Sequence, residues 1–537
     1  MVTKINYNQI TNAPLNVRDY GASTTGTAAA NVTAIQAAFT ALSTGQTVYF
    51  PEVYNVNATL TLASKVGVKL IGPGGMTFSS AAVTDHLIDI TGTSSNIVID
   101  GLTLTGEAIT GATGVQVAIS INNVGTNVVS NLKVINCTIS AVNVGVGLYG
   151  TLSTIKEVLV HGNHISNITG VVAGQGYGVI CSGAKQVIVS DNLLDGCCRH
   201  SLYQGNGTDV GVTFSNNTIL NHRSSINTGT FFAAIVVSRS SGVSVIGNTV
   251  QSFYDGGMEI SHVTADVANC MDILVSGNRF INRQNAVQTL MIGEGLTPGT
   301  YNTSEVKILG NVFNDSATTS GHITHLMILN GLNLQIENNE FISTSCTTTL
   351  YQIECGYDAF AVTVNATDMD NIFIRGNTFT AKGTVTNVYA VRCSTSVSAA
   401  TATTKVQVLN NNIVGMALVH LITFQTAQLT TFVAYNPGNT HAVVTSYYQN
   451  GSTAPSCAGV NYLNIANGGA TTITTFNDMV VGQKLTLFFA DANTTLSNTN
   501  IYVSTPGAFV AGDKDVFELI CIAASTSFTE VGRSVNN

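Results

Sequence analysis

The hydrophobic and polar positions of this chain repeat a six-residue phrase: two β-forming residues, a Gly, Asn or Asp, then Asn, any residue, and an apolar residue. It reads VHGNHI (160–165), VSDNLL (189–194), FSNNTI (214–219), VIGNTV (245–250), VSGNRF (275–280), ILGNVF (308–313), IENNEF (336–341), IRGNTF (374–379) and VLNNNI (408–413). The shared residue is Asn163, Asn192, Asn217, Asn248, Asn278, Asn311, Asn339, Asn377 and Asn411, at steps of 29, 25, 31, 30, 33, 28, 38 and 34 residues. Self-similarity at such a period marks a repeat protein. Each repeat holds several strand-length pieces with apolar alternation and Gly or Asn at the corners, and no room for a long helix, so it reads as one coil of a parallel β-helix. The shared Asn is expected at a corner, in left-handed backbone, with its amide bonded to the same amide one coil away. At about 4.8 Å per coil, these phrases give roughly 40 Å of prism, and weaker copies at IDGLTL (99–104) and INCTI (135–139) lengthen it. The uneven steps place the surplus residues in outward loops, where sites are built.

Just before each phrase lies another strand. Aligned on an inward apolar residue, these strands put Leu148, Leu202, Ile235, Met258, Leu290, Leu326, Ile353 and Val391 in the core. The next residue in each is then expected to face solvent: Tyr149, Tyr203, Val236, Glu259, Met291, Met327, Glu354 and Arg392. Four residues past the inward position a second column reads Asn206, Arg239, His262, Glu294, Asn330 and Tyr357. The two columns gather charge in a chain otherwise short of it. Asp255, Glu259 and His262 share one coil, with Arg239 on the coil before and Glu294 on the coil after.

Two carboxylates one coil apart stand roughly 5–9 Å from each other, the range over which glycosidases place an acid and a base or nucleophile. Crowding of that kind raises one carboxyl and keeps a proton ready for a leaving oxygen. Glu259 and Glu294 are therefore the candidate catalytic pair, with Asp255 as substitute partner. Arg239 and His262 are placed to hold an acidic sugar or orient the carboxylates. Tyr149 and Tyr203 form a candidate stacking ledge, and Arg199 and His200 open the coil of Tyr203, two coils from Glu259, as a neighbouring subsite. In a lyase, His262 or Tyr357 would be the base. Glu354 with Asp358 is a weaker acidic pair. The competing reading is a solvated salt-bridge cluster beside tyrosines that are simply good β-formers.

Composition narrows the choice. Only 9% of the 537 residues are charged, and the net charge of −9 with 20 basic residues and no Lys/Arg run argues against a nucleic-acid partner. The repeat runs across most of the chain, so one long domain with caps is expected. Of the ten cysteines, Cys181, Cys355 and Cys393 fall at inward positions, which favours reduced thiols in a protein folded in a bacterial cytoplasm over a disulfide framework. No zinc spacing appears, so neither a metal nor another cofactor is expected. MVTKINYNQI has no apolar signal core, and no run of about 18 apolar residues occurs anywhere, so membrane insertion is not expected.

In chain order, NVRDYGA (16–22) opens the fold, and NVTAIQAAFTAL (31–42) reads as a helix capped by Asn31, with Val32, Ile35, Phe39 and Leu42 on its apolar face. Such a helix lies over the open end of a β-helix and closes its edge. NVRDYGA, that helix, TVYFP (47–51) and VKLIGPGG (68–75) together resemble the opening segment of pectate-lyase-like β-helix proteins, bacteriophage tailspikes especially. The resemblance covers the chain to about residue 430. It implies a right-handed parallel β-helix over 46–430, after an N-terminal segment and capping helix at 1–45.

Residues 431–459, with Pro437 and Pro455, read as a connector, and 460–537 as alternating strands of an antiparallel β module. The ending SFTEVGRSVNN (527–537) is similar to the close of the C-terminal β-sandwich of trimeric tailspikes, with Phe528 where an aromatic, often Trp, is usual. The resemblance implies a homotrimer on a phage tail, acting at the bacterial cell surface on capsule or O-antigen by endoglycosidic hydrolysis. Its alternatives are β-elimination by a polysaccharide lyase and a non-catalytic receptor-binding spike. The short start suggests a truncated chain or a branch that docks onto another tail protein. The calcium-binding aspartates of the family's pectate lyases have no counterpart here, so that activity is not implied.

Overall fold

The structure, a computed structural model, describes residues 13–535 apart from 109–113, 124–125, 152–153, 171–173, 208–209, 223–231, 262–269, 284–287, 294–302, 316–322, 330, 345–348, 356–368, 383–386, 394–405, 415–421, 425–450, 456, 458–461, 478, 480, 505–506 and 524–525. The fold is a right-handed parallel β-helix. The chain divides into two compact units, residues 1–290 and 291–537.

In the first unit one coil runs through Val144–Gly150, Ile155–His161 and His164–Ile168, one strand on each of three sheets. The next coil, Tyr177–Ser182, Lys185–Ser190 and Leu193–Cys197, pairs with it strand for strand, always in parallel. Leu148, Leu202, Ile235, Met258 and Leu290 are fully buried, as the alternation requires. The long strand Ala233–Ile246 serves two sheets, pairing with Gly256–Ser261 through its first half and with Cys270–Ser276 through its second.

The asparagines stack. In the first unit Asn163, Asn192, Asn217 and Asn248 each donate their backbone N–H and side-chain Nδ2 to the Oδ1 of the next ladder asparagine, ending at Asn278, over 2.8–3.1 Å. In the second unit Asn311, Asn339, Asn377 and Asn411 form a ladder of the same kind. The left-handed backbone, however, belongs to the residue before each ladder asparagine: Gly162, Asp191, Asn216, Gly247 and Gly277, then Gly310, Asn338, Gly376 and Asn410. That residue makes the corner, which explains why the position is always Gly, Asn or Asp. The corner turns the following N–H inward, and a buried N–H needs an acceptor. The Oδ1 of the neighbouring coil supplies it.

The helix is Ala28–Ala41, and Thr27 caps it, with its Oγ1 accepting from the Ala30 N–H at 3.2 Å. The cap is therefore not Asn31, because the alanines before it are strong helix formers and extend the helix backwards. Asn31 is buried instead, with Oδ1 accepting from the Ser23 N–H at 2.9 Å and Nδ2 donating to the Asn55 carbonyl at 3.0 Å. Ile35, Ala38 and Phe39 face inward, and the helix packs on strands Val53–Val56 and Thr61–Ala63. The cysteines Cys137, Cys181, Cys197, Cys198, Cys270, Cys355, Cys457 and Cys521 are buried.

In the second unit the coils hold Leu326, Ile353 and Val391 fully buried. Phe313, Phe341 and Phe379 stack one per coil, with ring centroids 4.8 and 5.2 Å apart. The C-terminal module packs a five-stranded sheet and a three-stranded sheet around Phe476, Phe489, Phe509, Phe517 and Phe528. Antiparallel pairs join its long strands Lys484–Phe489, Val516–Ala523 and Ser527–Ser534, while Tyr462–Ile465 and Ile501–Tyr502 add at the edges in parallel.

Glu530 accepts from Arg533 Nε at 2.6 Å and from the Ser504 N–H at 2.6 Å, which holds its carboxyl down at about 2, Arg533 being the largest cause. A depressed carboxylate stabilises the fold above its unfolded pKa and loses that contribution as pH falls towards the folded value. Thermal unfolding of this module followed by circular dichroism is therefore expected to soften between about pH 4.5 and pH 2, and Glu530→Gln should flatten that slope.

Candidate functional site

Tyr149, His200, Tyr203 and Glu259 sit on one sheet of the first unit, the first sheet, which begins its coils with strands such as Val144–Gly150, His200–Gly207 and Gly256–Ser261. Tyr203 stands in register with Val236, and Val236 with Glu259, so Tyr203 and Glu259 share one column two coils apart, roughly 10 Å along the axis. Tyr149 is not in that column. It pairs with Ser182, which aligns with Gly205, Ser238 and Ser261. Placing Leu148 beside Leu202 slips the register by two residues, which keeps the face but moves the column.

Nor is the column open to solvent throughout. Val236 is 3% exposed, while Tyr149, Tyr203 and Glu259 are half-buried. Neighbouring rings provide the cover. Tyr177 meets Tyr203 edge-on at 5.4 Å, and His200 lies 5.5 Å from both Tyr203 and Phe232. The Arg199 guanidinium sits 4.7 Å from the Phe232 ring and 5.7 Å from that of Tyr177. His200 is buried, with Nδ1 at 2.7 Å from the Ala233 carbonyl, so it props the aromatic group from behind.

Three charged side chains lie close enough to bias the Tyr203 hydroxyl electrostatically. Burial raises this phenol above its ordinary value, a hydrogen bond with Ser238 opposes the rise, and Arg239, Glu259 and Arg199 all act on it. Glu259 itself is raised, chiefly by burial and against a hydrogen bond with Ser261. The direction is the one a proton donor needs. The cause is desolvation rather than a crowding carboxylate. Arg239 has φ 48 at the point where its strand leaves the first sheet, a conformation rare for a residue with a side chain and one that turns it at the corner. Cys270 is buried close by, pushed up to about 11 by burial first, so it is no nucleophile here.

Asp255 is half-buried at the bend before strand Gly256–Ser261. Glu294, His262 and Tyr357 lie outside the described residues. Tyr177, Phe232, Ser238 and Ser261 complete the site and escaped the sequence reading. The row YGVICS (177–182) carries the signal, since it sets the register that puts Ser238 and Ser261 two residues beyond Val236 and Glu259 on the same face.

In the second unit the corresponding positions do not face solvent. Met327 and Glu354 are fully buried and Arg392 is 9% exposed. Glu354 pairs with Arg392 Nη1 at 3.2 Å and accepts from Thr324 Oγ1 at 3.0 Å, while the Arg392 guanidinium lies 4.3 Å from the Tyr351 ring. A sealed, ion-paired carboxylate is a poor acid or base. Asp358 lies outside the described residues.

No protein family matches this chain. No curated protein sequence matches it either. Among solved structures it is similar to the A-module of a mannuronan C-5 epimerase from Azotobacter vinelandii, at 15% identity over 79% of this chain and 98% of that one, with a TM-score of 0.49. It is also similar to a mutant tailspike protein of an Escherichia coli bacteriophage in complex with a pentasaccharide, at 12% identity over 94% of this chain and 84% of that one, TM-score 0.47. A third is the full-length tailspike protein 2 of another Escherichia coli bacteriophage, at 15% identity over 63% of this chain and 42% of that one, TM-score 0.42.

Proposed function

We propose that this chain is a phage tailspike that binds a bacterial surface polysaccharide, capsule or O-antigen, and cleaves it by endo-acting hydrolysis on the sheet face that carries Glu259. The observation that carries the reading is the Glu259 carboxyl, raised by burial and set two coils from Tyr203 in one column, with Arg239 and Arg199 acting on the same tyrosine. Such a carboxyl holds its proton and delivers it to the leaving glycosidic oxygen, while a second carboxylate, Asp255, serves as base or nucleophile. A carboxyl separation of about 5–5.5 Å would retain anomeric configuration, and about 6.5–9.5 Å would invert it. On this reading the molecule sits on a phage tail as a trimer held by residues 460–537, as the opening resemblance implies. Val481, Tyr502, Val510 and Val531 of that module are each more than half exposed, which suits a surface covered by further copies.

A lyase is the second reading, favoured by Arg199 and Arg239, two cations that both act on Tyr203. Arginines neutralise a uronate carboxylate, and His262 would take the neighbouring proton. One experiment separates the readings. Purified protein is incubated with capsules and O-antigens from several strains, and products are followed by size and by ultraviolet absorbance. Shortened chains without new absorbance support hydrolysis, and unsaturated absorbing ends support elimination. Binding without shortening leaves a receptor-binding spike.

A further inference from the structure

Two glycines on the first sheet do unusual work beside the tyrosines. Alternate residues of a strand share a face, so Gly147 lies on the same side as Tyr149 and Gly205 on the same side as Tyr203. Aromatic side chains on a strand ordinarily stand away from the sheet. Here both lie down. A Cβ added at Gly147 would run into Tyr149 Cε2 and stand 3.0 Å from Cζ and 3.1 Å from Oη; one at Gly205 would stand 2.6 Å from Tyr203 Cε1 and 2.8 Å from Oη. Each ring therefore occupies the space that the missing side chain would fill.

The two arrangements are complementary. Gly147 belongs to the column of Tyr203, through Ile180, and Gly205 to the column of Tyr149, through Ser182. Tyr149 thus folds back into one column and Tyr203 folds forward into the other, two coils apart, with Glu259 two coils further along. Neither Gly147 nor Gly205 has a positive φ, so backbone freedom does not explain them. Other glycines of these strands have a structural reason: a Cβ at Gly145 would meet the Gly178 carbonyl at 2.5 Å, and one at Gly178 would meet the Ser201 carbonyl at 2.5 Å. At Gly147 and Gly205 the nearest atoms belong to the tyrosine rings instead.

We propose that Gly147 and Gly205 are positioning residues that lay Tyr149 and Tyr203 flat on the sheet as two stacking platforms for pyranose rings of a glycan running along the axis towards Glu259. The inference rests on the polysaccharide reading above. It assigns the two platforms to sugars a fixed two coils apart, so the favoured ligand is a polymer whose C–H faces recur at that spacing.

The test uses the polysaccharide that the wild-type protein shortens. Gly147→Ala and Gly205→Ala should each raise KM about tenfold, the loss of one stacked ring, while kcat changes less than about threefold. Tyr203→Ala should weaken binding as much as Gly205→Ala, and the double variant should be no worse than either alone, because both remove one platform. Unchanged KM in folded glycine variants, or additive effects in the double variant, would overturn the proposal and leave the cleavage activity standing. A wild-type protein that neither binds nor shortens any polysaccharide removes the functional reading itself. Should a glycine variant fail to fold, Tyr149→Trp and Tyr203→Trp decide, since the chain has no tryptophan and each would be its sole indole. Emission that shifts on adding the polysaccharide supports the platforms, and emission that stays constant overturns them.

Discussion

Glu259→Gln is expected to reduce depolymerisation by about a thousandfold in kcat/KM, most of it in kcat, because a positioned general acid contributes roughly 10²–10⁴ and the amide has no proton to give. The change is nearly isosteric, so binding should survive. Two pH signatures should accompany it. In the wild-type protein the rate should fall as pH rises through the raised carboxyl, whose burial favours the protonated form. Stability follows the same sign: a carboxyl raised above its unfolded value contributes below that value, and the contribution is lost as pH rises through the folded one. The Gln variant removes this loss and should melt higher than the wild type at neutral pH. An acid whose replacement costs activity and raises Tm is the mark of a desolvated catalytic group rather than a structural ion pair. Activity assays across pH, with calorimetry on both proteins, check both halves. Full activity in the variant would remove Glu259 from the mechanism.

Asn248→Ala should cost about 4 kcal/mol, among the largest single-site losses available in the first unit. Asn248 is fully buried and sits inside the ladder. Its Oδ1 accepts from the backbone N–H and the Nδ2 of Asn217, both at 2.9 Å. Its Nδ2 donates to Asn278 Oδ1 at 2.9 Å and to the Phe214 carbonyl at 2.8 Å. Truncation takes the acceptor from the Asn217 backbone N–H and from one N–H of its Nδ2, and a donor from the Phe214 carbonyl, while Asn278 Oδ1 keeps the Asn248 N–H; three lost contacts at a buried position exceed one hydrogen bond. Asn248→Asp adds a pH test. A carboxylate can still accept from Asn217 but would face the Asn278 Oδ1 and the Phe214 carbonyl with a negative charge. It should therefore be tolerated only while protonated, and its stability should fall as pH rises. Chemical denaturation of the three proteins at pH 5 and pH 8 measures both effects. A loss of under about 1 kcal/mol for the alanine variant would mean that the ladder is ornamental.

The ladder and the core column were legible in the sequence because both obey local rules. A corner needs Gly, Asn or Asp, and the alternation needs Leu202, Ile235 and Met258 inside. What the sequence misplaced was long-range. The left-handed residue and the ladder asparagine are adjacent and often both Asn, as at Asn216 and Asn217, so type alone does not say which turns the corner and which reaches inward. Thr27 and Asn31 are both good N-caps, and the choice fell to Thr27 because Asn31 bridges Ser23 and Asn55 across the fold.

The slip of Tyr149 has the same origin. Gln204 is polar yet faces the core, bonded to Ser240 Oγ at 3.2 Å, so an apolar criterion passes over the true partner row and settles on Leu202. Burial of Glu354 was hidden as well, since its partner Arg392 is 38 residues away in the chain and adjacent only through register. At the candidate site the residue types were legible. The cause of the raised carboxyl at Glu259, and the role of His200 as a buried prop, depend on rings that sequence spacing does not bring together.

The central claim is that the sheet face carrying Tyr203 and Glu259 is where a polysaccharide is bound and cut. A crystal structure of the Glu259→Gln variant soaked with oligosaccharides released by the wild-type protein tests it most directly. The account predicts pyranose rings on Tyr149 and Tyr203 and a glycosidic oxygen within hydrogen-bonding distance of the residue 259 side chain. Sugar bound at a different surface, with none at residue 259, would contradict it.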